Sequence, residues 1–436
     1  MDRRWLLRLV IAFGFTQAAV SMARPAVSYR ALALGADERA IGVIAGAYAL
    51  LPLFAAVPLG RRTDHGRCTP LLYLGVALIA AGCALSGSAD SLTTMAAWSG
   101  VMGLGHLAFV IGAQSIVARR SRPEEQDRDF GHLTVGVSLG QLVGPLAAGL
   151  TVSGQDGAMG RTSALALVIA AGVSAVALTS MWRVEARTAR GNGNGRGLRR
   201  GRTSAEGAEK PAAVPVRHIL RTRGVPAGIF ISLAVLSAVD VLTAYLPVIG
   251  EERGIAPFVV GVLLSLRAAA TIACRLVMAP LIRLLGRTVL LAGTCLLGAL
   301  LCSAVALPMP LWTLALLLTA LGFCLGAGQP LSMTTVVQAA PPQARSTALA
   351  LRLTGNRLGQ VAAPAAAGLL AGATGPAAPF LMLGVLLLGA AGLSGRKPNP
   401  AQGNGIQRVS HHRPRDSAGA GNKRDEHRSD AIPERE

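Results

Sequence analysis

The chain is 436 residues long and 52% hydrophobic, with only 4% aromatic and 15% charged residues and a mean hydropathy of +0.49. That balance excludes an ordinary water-soluble domain and places most of the polypeptide in lipid. The formal net charge of +20 raises nucleic acid as a partner, and the position of the charges decides against it.

A helix rising 1.5 Å per residue needs about 20 mostly apolar residues to cross about 30 Å of hydrocarbon. Twelve such stretches are predicted, at 5–31, 40–60, 69–88, 92–118, 129–153, 162–182, 225–249, 256–282, 287–307, 309–339, 346–372 and 375–394. The first follows "MDRRW" directly, carries Arg8 in its first turns and lacks a short apolar core ending in a small-residue cleavage site, so it reads as a retained helix. Six cysteines (Cys68, Cys83, Cys274, Cys295, Cys302 and Cys324) are scattered without metal-type spacing and read as small buried hydrophobes. No metal and no cofactor is expected.

With Met1 on the cytoplasmic side, the cytoplasmic connections hold Arg3, Arg4, Arg61, Arg62, Arg67, Arg119, Arg120 and Arg122, and eleven Lys or Arg between Arg183 and Arg223. The opposite side holds Arg30, Arg39, Arg161 and Arg253. This asymmetry is the positive-inside rule, so both termini are expected in the cytoplasm and the charge reports topology in the lipid bilayer, with no nucleic acid as partner. The stretch 183–224 is rich in Gly and Arg without hydrophobic periodicity and reads as a flexible basic linker; 395–436, with His411 and His412, reads as a disordered cytoplasmic tail.

Sliding the sequence against itself by 219 residues aligns "GVSLGQLVGPLAAGL" (136–150) with "GNRLGQVAAPAAAGL" (355–369), nine of fifteen positions being identical. The same offset pairs Gly35 with Gly254, Gly42 with Gly261, Leu71 with Leu290 and Leu72 with Leu291. Each half, 1–182 and 225–394, therefore holds six predicted helices. Six is even, so the halves share one orientation in the membrane and form a parallel repeat. The expected fold is an all-α integral membrane protein of 12 transmembrane helices in two parallel six-helix pseudo-repeats.

Two motifs carry a resemblance to a known family. "GRRTDHGRCTPLL" (60–72), between the second and third helices, has Gly60, Asp64 and Arg67 near the places of the family's Gly-x3-Asp loop motif, with His65 for the usual basic residue and Gly66 one place early. In the fifth helix, "GQLVGPLAAG" (140–149) keeps Gly140, Gly144, Pro145, Ala148 and Gly149 of an antiporter-type pattern, in which small residues let backbones approach and the proline permits a bend. The chain resembles the major facilitator superfamily over about 5–394, and within it the drug and metabolite efflux branch. The resemblance implies a transporter working by alternating access, with the loop after helix 2 packing near helix 11 in one state. Exporters of this type carry an Arg in helix 4; here Ser99 or Gly100 stands there, leaving His106 the only ionisable group of that helix.

Charges inside spans cost roughly 2.5–3.5 kcal/mol each on insertion scales and are candidate functional residues. Asp240, Arg267 and Arg357 fall in the middle third of their helices, Arg24 toward the outer side, Arg275 and Arg352 toward the cytoplasm. Asp240 and His106 are candidate proton-coupling residues, and the alternative for Asp240 is a structural pair with Arg267. Arg24, Arg267, Arg357, Asn356, Gln329 and Tyr245 are candidate cavity residues, with Tyr29 and Gln114 weaker. An excess of arginine there favours an anionic solute. Arg352 is expected to meet Asp64 at the cytoplasmic gate.

The chain contains no phosphate-binding "GxxxxGK[ST]" loop, no His/Cys ligand cluster and no nucleophile elbow, so an enzyme is not expected. Three readings stand: a monomeric proton-coupled exporter of a small-molecule substrate, an importer of the same fold, and a non-transporting receptor or scaffold.

Overall fold

The structure, a computed structural model, describes residues 4–65, 68–122, 125–155, 157–181, 216–222, 224–341 and 344–394. They form fourteen α-helices and no strand: α1 (Arg4–Ala33), α2 (Glu38–His65), α3 (Thr69–Gly87), α4 (Leu92–Arg120), α5 (Gln126–Thr151), α6 (Met159–Met181), α7 (Val216–Arg221), α8 (Val225–Glu252), α9 (Pro257–Leu276), α10 (Met278–Leu285), α11 (Arg287–Val305), α12 (Leu311–Ala339), α13 (Arg345–Thr374) and α14 (Ala378–Ser394). Ten of them are long and apolar enough to cross a membrane by themselves. α13 has the length, 30 residues, but its polar side chains lower its hydropathy, and α14 has 17 residues. Large apolar side chains such as Phe54, Leu150, Trp312 and Val385 face outward along these helices, as a lipid solvent requires.

Two segments depart from the sequence expectation. The predicted helix 256–282 breaks at Val277 into α9 and α10. Pro280, in the first turn of α10, has no N–H to offer the Leu276 carbonyl and its ring clashes with it, so a continuous helix is disfavoured there. Part of the expected linker is also ordered. α7 buries Ile219 with Val225, Val336, Ala340, Ala344 and Ala348. The rest of the linker, 183–215 and 223, and the tail from 395 lie outside the described residues.

The pairing at an offset of 219 reappears as geometry. α1 ends with Gly35 at φ +77°, where Gly35 N–H donates to Leu32 O and Ala36 N–H to Ala31 O. α8 ends with Gly254 at φ +65°, where Gly254 N–H donates to Glu251 O and Ile255 N–H to Gly250 O. Both are Schellman turns, which need a residue without a Cβ at the left-handed position.

Helix contacts repeat in the same way. A Cβ at Gly136 would strike Val10 of α1, and one at Gly140 would strike Gln17 and Ala18; a Cβ at Gly355 would strike Ile229 of α8, and one at Gly359 would strike Leu233 and Ser237. Gly42 of α2 lies against Pro364 and Gly368 of α13, and Gly261 of α9 lies against Pro145 and Gly149 of α5. These contacts bring α2 onto α13 and α5 onto α9, and α1 also touches α8. The fifth-helix glycines thus do two jobs: Gly140 and Gly144 seat α1, while Gly149 seats α9.

Candidate functional site

α8 is packed by α12, α13, α14 and α1, so a carboxylate at its centre is withdrawn from solvent. Asp240 is 3% exposed. Both its oxygens are satisfied: Arg24 Nη1 of α1 donates to Oδ1 at 2.7 Å, and Gln360 Nε2 of α13 donates to Oδ2 at 2.9 Å. Gln360 Oε1 in turn accepts from Arg357 Nη1 at 2.9 Å.

This corrects the alternative weighed for Asp240: its ion-pair partner is Arg24 and not Arg267, and Arg24, placed by depth toward the outer side of its helix, reaches inward to α8. Pro25 and the close approach permitted by Gly144 against Ser21 and Met22 set α1 where its arginine can do so. Linear depth along one helix carries no information on which neighbour a side chain faces.

The network continues away from Asp240. The Arg24 guanidinium lies over the Tyr48 ring, 5.2 Å from its centroid. Tyr48 Oη is 2.5 Å from His106 Nδ1, and His106 Nε2 is 3.1 Å from Gln17 Oε1. A carboxamide oxygen only accepts, so Nε2 carries a proton; the tyrosine hydroxyl donates to Nδ1 of a neutral ring and accepts from it when the ring is protonated. Gln17 Nε2 donates to Ser21 Oγ at 3.2 Å. One chain of polar groups therefore runs from Ser21 through Gln17, His106, Tyr48 and Arg24 to Asp240, Gln360 and Arg357. Sequence reasoning passed over Gln17 and Tyr48, which sit singly in apolar stretches.

Arg267 of α9 is 8% exposed and within electrostatic range of Arg24 and Asp240. Its Nε is buried without an acceptor. The other candidates lie elsewhere. Arg352 Nη2 donates to the backbone oxygen of Gln329 at 3.1 Å and to its Oε1 at 2.6 Å, and Gln329 Nε2 donates to Ser232 O at 2.8 Å. Arg352 thus clamps α13 to α12, where contact with Asp64 had been expected. Gly60 and Asp64 fall in the last turns of α2 with side chains outside the described residues, and Arg67 lies outside them entirely.

Asn356 is buried with Oδ1 unpartnered. Tyr245 was expected to line the cavity, but its hydroxyl donates to Glu38 O at 2.8 Å and ties α8 to the start of α2. The Tyr29 hydroxyl is buried without a partner, and Gln114 is exposed. Among the described residues no three His, Cys, Asp or Glu cluster as metal ligands.

A cavity of about 20 Å³ lies beside Arg24, Tyr48, Ser99 and Met102. It has room for roughly one or two waters. Of the central pair, the Arg24 side chain is 20% exposed and the Asp240 side chain 5%, so it is the arginine that a solute can meet.

A bundle of apolar helices with a buried polar network at its centre defines a multi-pass membrane carrier. The chain belongs to the Major Facilitator Superfamily, whose sequence profile matches residues 9–256 and 228–419, and it is a transporter, not an enzyme. It is similar to the inner membrane transport protein YajR of Escherichia coli (strain K12), 29% identical over 140 residues, which is 32% of this chain and 30% of that relative's length. In fold it resembles a variant of the nucleoside transporter NupG (TM-score 0.69, 14% identity, 89% of this chain and 98% of that one). It also resembles a bacterial homologue of the human lysosomal transporter Spinster in an inward-facing, occupied conformation (TM-score 0.68, 14% identity, 89% and 95%). A third is a POT family transporter in complex with a thioalcohol-conjugated peptide (TM-score 0.69, 14% identity, 88% and 94%).

Proposed function

We propose that this protein is a secondary active transporter that exports a small organic solute in exchange for protons, with Asp240 as the proton-binding group. The observation that carries the reading is the position of Asp240: buried, at the centre of the bundle, and held by residues of α1 and α13 at once. Protonation removes the charge that fixes the Arg24 guanidinium, so the contact between α1 and α8 loosens. Deprotonation restores it. A carboxyl group that alternates between these states couples a proton to the movement of helices.

In this reading twelve helices span the membrane, α7 and α10 being the short ones that do not. The segments 1–182 and 225–394 rock against each other as two six-helix units. The α2–α13 and α5–α9 contacts at Gly42 and Gly261 separate when the site opens at that end. Both termini lie in the cytoplasm, and the protein acts as a monomer in the cell membrane. The direction rests on the antiporter-type pattern Gly140, Gly144, Pro145 and Gly149 in α5, and the excess of arginine around Asp240 favours an anionic solute.

The test is transport in proteoliposomes with an imposed pH gradient, reading internal pH with an entrapped dye while a panel of labelled organic solutes is added. Wild-type protein is expected to move protons against solute, and Asp240→Asn to exchange solute without moving protons. Proton movement by Asp240→Asn at the wild-type rate overturns the reading.

A further inference from the structure

We infer that Arg267 is the docking group for an oxyanion of the transported solute, carboxylate or phosphate; this rests on the transporter reading above.

The first support is position. Gly103 of α4 seats the backbone of Tyr48 on α2, and Gly322 of α12, 219 residues later, seats the backbone of Arg267 on α9 in the same way. Tyr48 and Arg267 are thus counterparts under the repeat. Tyr48 projects to the central pair, where its ring underlies Arg24. Arg267 lies within electrostatic range of the same pair, Arg24 and Asp240.

The second support is what each counterpart finds there. Tyr48 is satisfied by His106 and by Arg24. Arg267 is more than nine-tenths buried, and its Nε is buried without an acceptor among the described residues. Asp240 is the nearest carboxylate, and its two oxygens are already taken by Arg24 and Gln360.

The third is charge. Arg24, Arg267 and Arg357 stand around one carboxylate. A buried, unpaired cation is among the costlier features a fold can hold, and removing it from water is repaid only by a well-placed counter-charge. The planar guanidinium fork is matched to two oxygens of one carboxylate or phosphate. Neither a neutral solute nor a cation would make that match.

The experiment uses the purified full chain in lipid nanodiscs, without a pH gradient. Thermal unfolding is followed with a maleimide fluorophore, since the six cysteine thiols are buried and become reactive on unfolding. The probes are acetate, benzoate and inorganic phosphate, with benzyl alcohol and chloride at matched ionic strength as controls. At least one of the three oxyanions is expected to raise the melting temperature in a saturable way that the controls do not reproduce, and the responding group, carboxylate or phosphate, identifies the chemistry.

Arg267→Gln is expected to weaken that response at least tenfold, and Arg267→Lys, which keeps the charge without the fork, to weaken it less. Arg352→Gln, which removes a cation bound to Gln329 outside this network, is expected to keep it, and because no pH gradient is imposed anion binding is read separately from proton coupling. A response in Arg267→Gln and Arg267→Lys equal to wild type overturns the assignment, as does a set of oxyanions that stabilises no more than chloride.

Discussion

The Arg24 guanidinium and the Asp240 carboxylate meet at 2.7 Å, joining α1 to α8 across 216 residues of sequence. Removing one partner of a buried pair leaves the other charge uncompensated, at a cost of about 3–5 kcal/mol. Arg24→Ala is expected to lower stability by that order, and Arg24→Ala combined with Asp240→Asn to recover part of it. A double-mutant cycle of unfolding free energies in detergent checks this, and strictly additive effects would show that the pair is not energetically coupled.

Tyr48 offers a ring to Arg24 and a hydroxyl to His106. Tyr48→Phe keeps the ring and loses one hydrogen bond, worth about 1 kcal/mol net. Tyr48→Ala loses the cation–π contact too and leaves a cavity, so it is expected to cost at least about 2 kcal/mol more. Comparing the two variants by thermal melting separates the ring from the hydroxyl; equal losses would contradict the stacking.

Gly42 and Gly261 are the points where α2 meets α13 and α5 meets α9. A methyl group at either would collide with backbone atoms of the partner helix, which cannot yield as a side chain can. Gly42→Ala and Gly261→Ala are expected to shift the population away from this packed arrangement while leaving the helices intact. Thiol labelling of a cysteine placed at Ile44, buried here, should rise in Gly42→Ala with the circular dichroism unchanged. Unchanged labelling would mean that this interface tolerates a Cβ.

Arg352 holds Gln329 through both its backbone and its side-chain oxygen. Arg352→Lys keeps the charge but cannot span both acceptors with one planar group. It is expected to lose about 1–2 kcal/mol of stability, and Gln329→Ala, which also breaks the bond to Ser232, to lose more. Unfolding measurements on the two variants check whether Arg352 is a structural clamp between α12 and α13; an Arg352→Lys variant as stable as wild type would contradict it.

Most of the helical architecture was legible because lipid imposes its demand locally. Runs of about 20 apolar residues, ended by Gly35, Gly254 or charge, had to be helices wherever they lay. Even the equivalence of Gly42 with Gly261 and of Gly149 with Gly368 was present in the repeat, and so was the pairing of Tyr48 with Arg267, although its meaning was not. The break at Val277 was legible in Pro280 but masked by the surrounding apolar residues.

The partners were not legible. Asp240 was visible as a buried acid, yet two arginines stood at suitable depths, and choosing between them required knowing that α1 faces α8 at that level. Arg352 pointed by depth to the loop after α2, and its nearest acceptors belong to α12. Composition and periodicity, being properties of neighbours along the chain, determined that this protein crosses the membrane many times as apolar helices and which polar groups it buries. The rotation and approach of helices that lie about 60 to 200 residues apart, set by glycine contacts at a few crossing points, decided which of those groups touch, Arg24 with Asp240 and Tyr48 with His106, and left the Nε of Arg267 without an acceptor among the described residues.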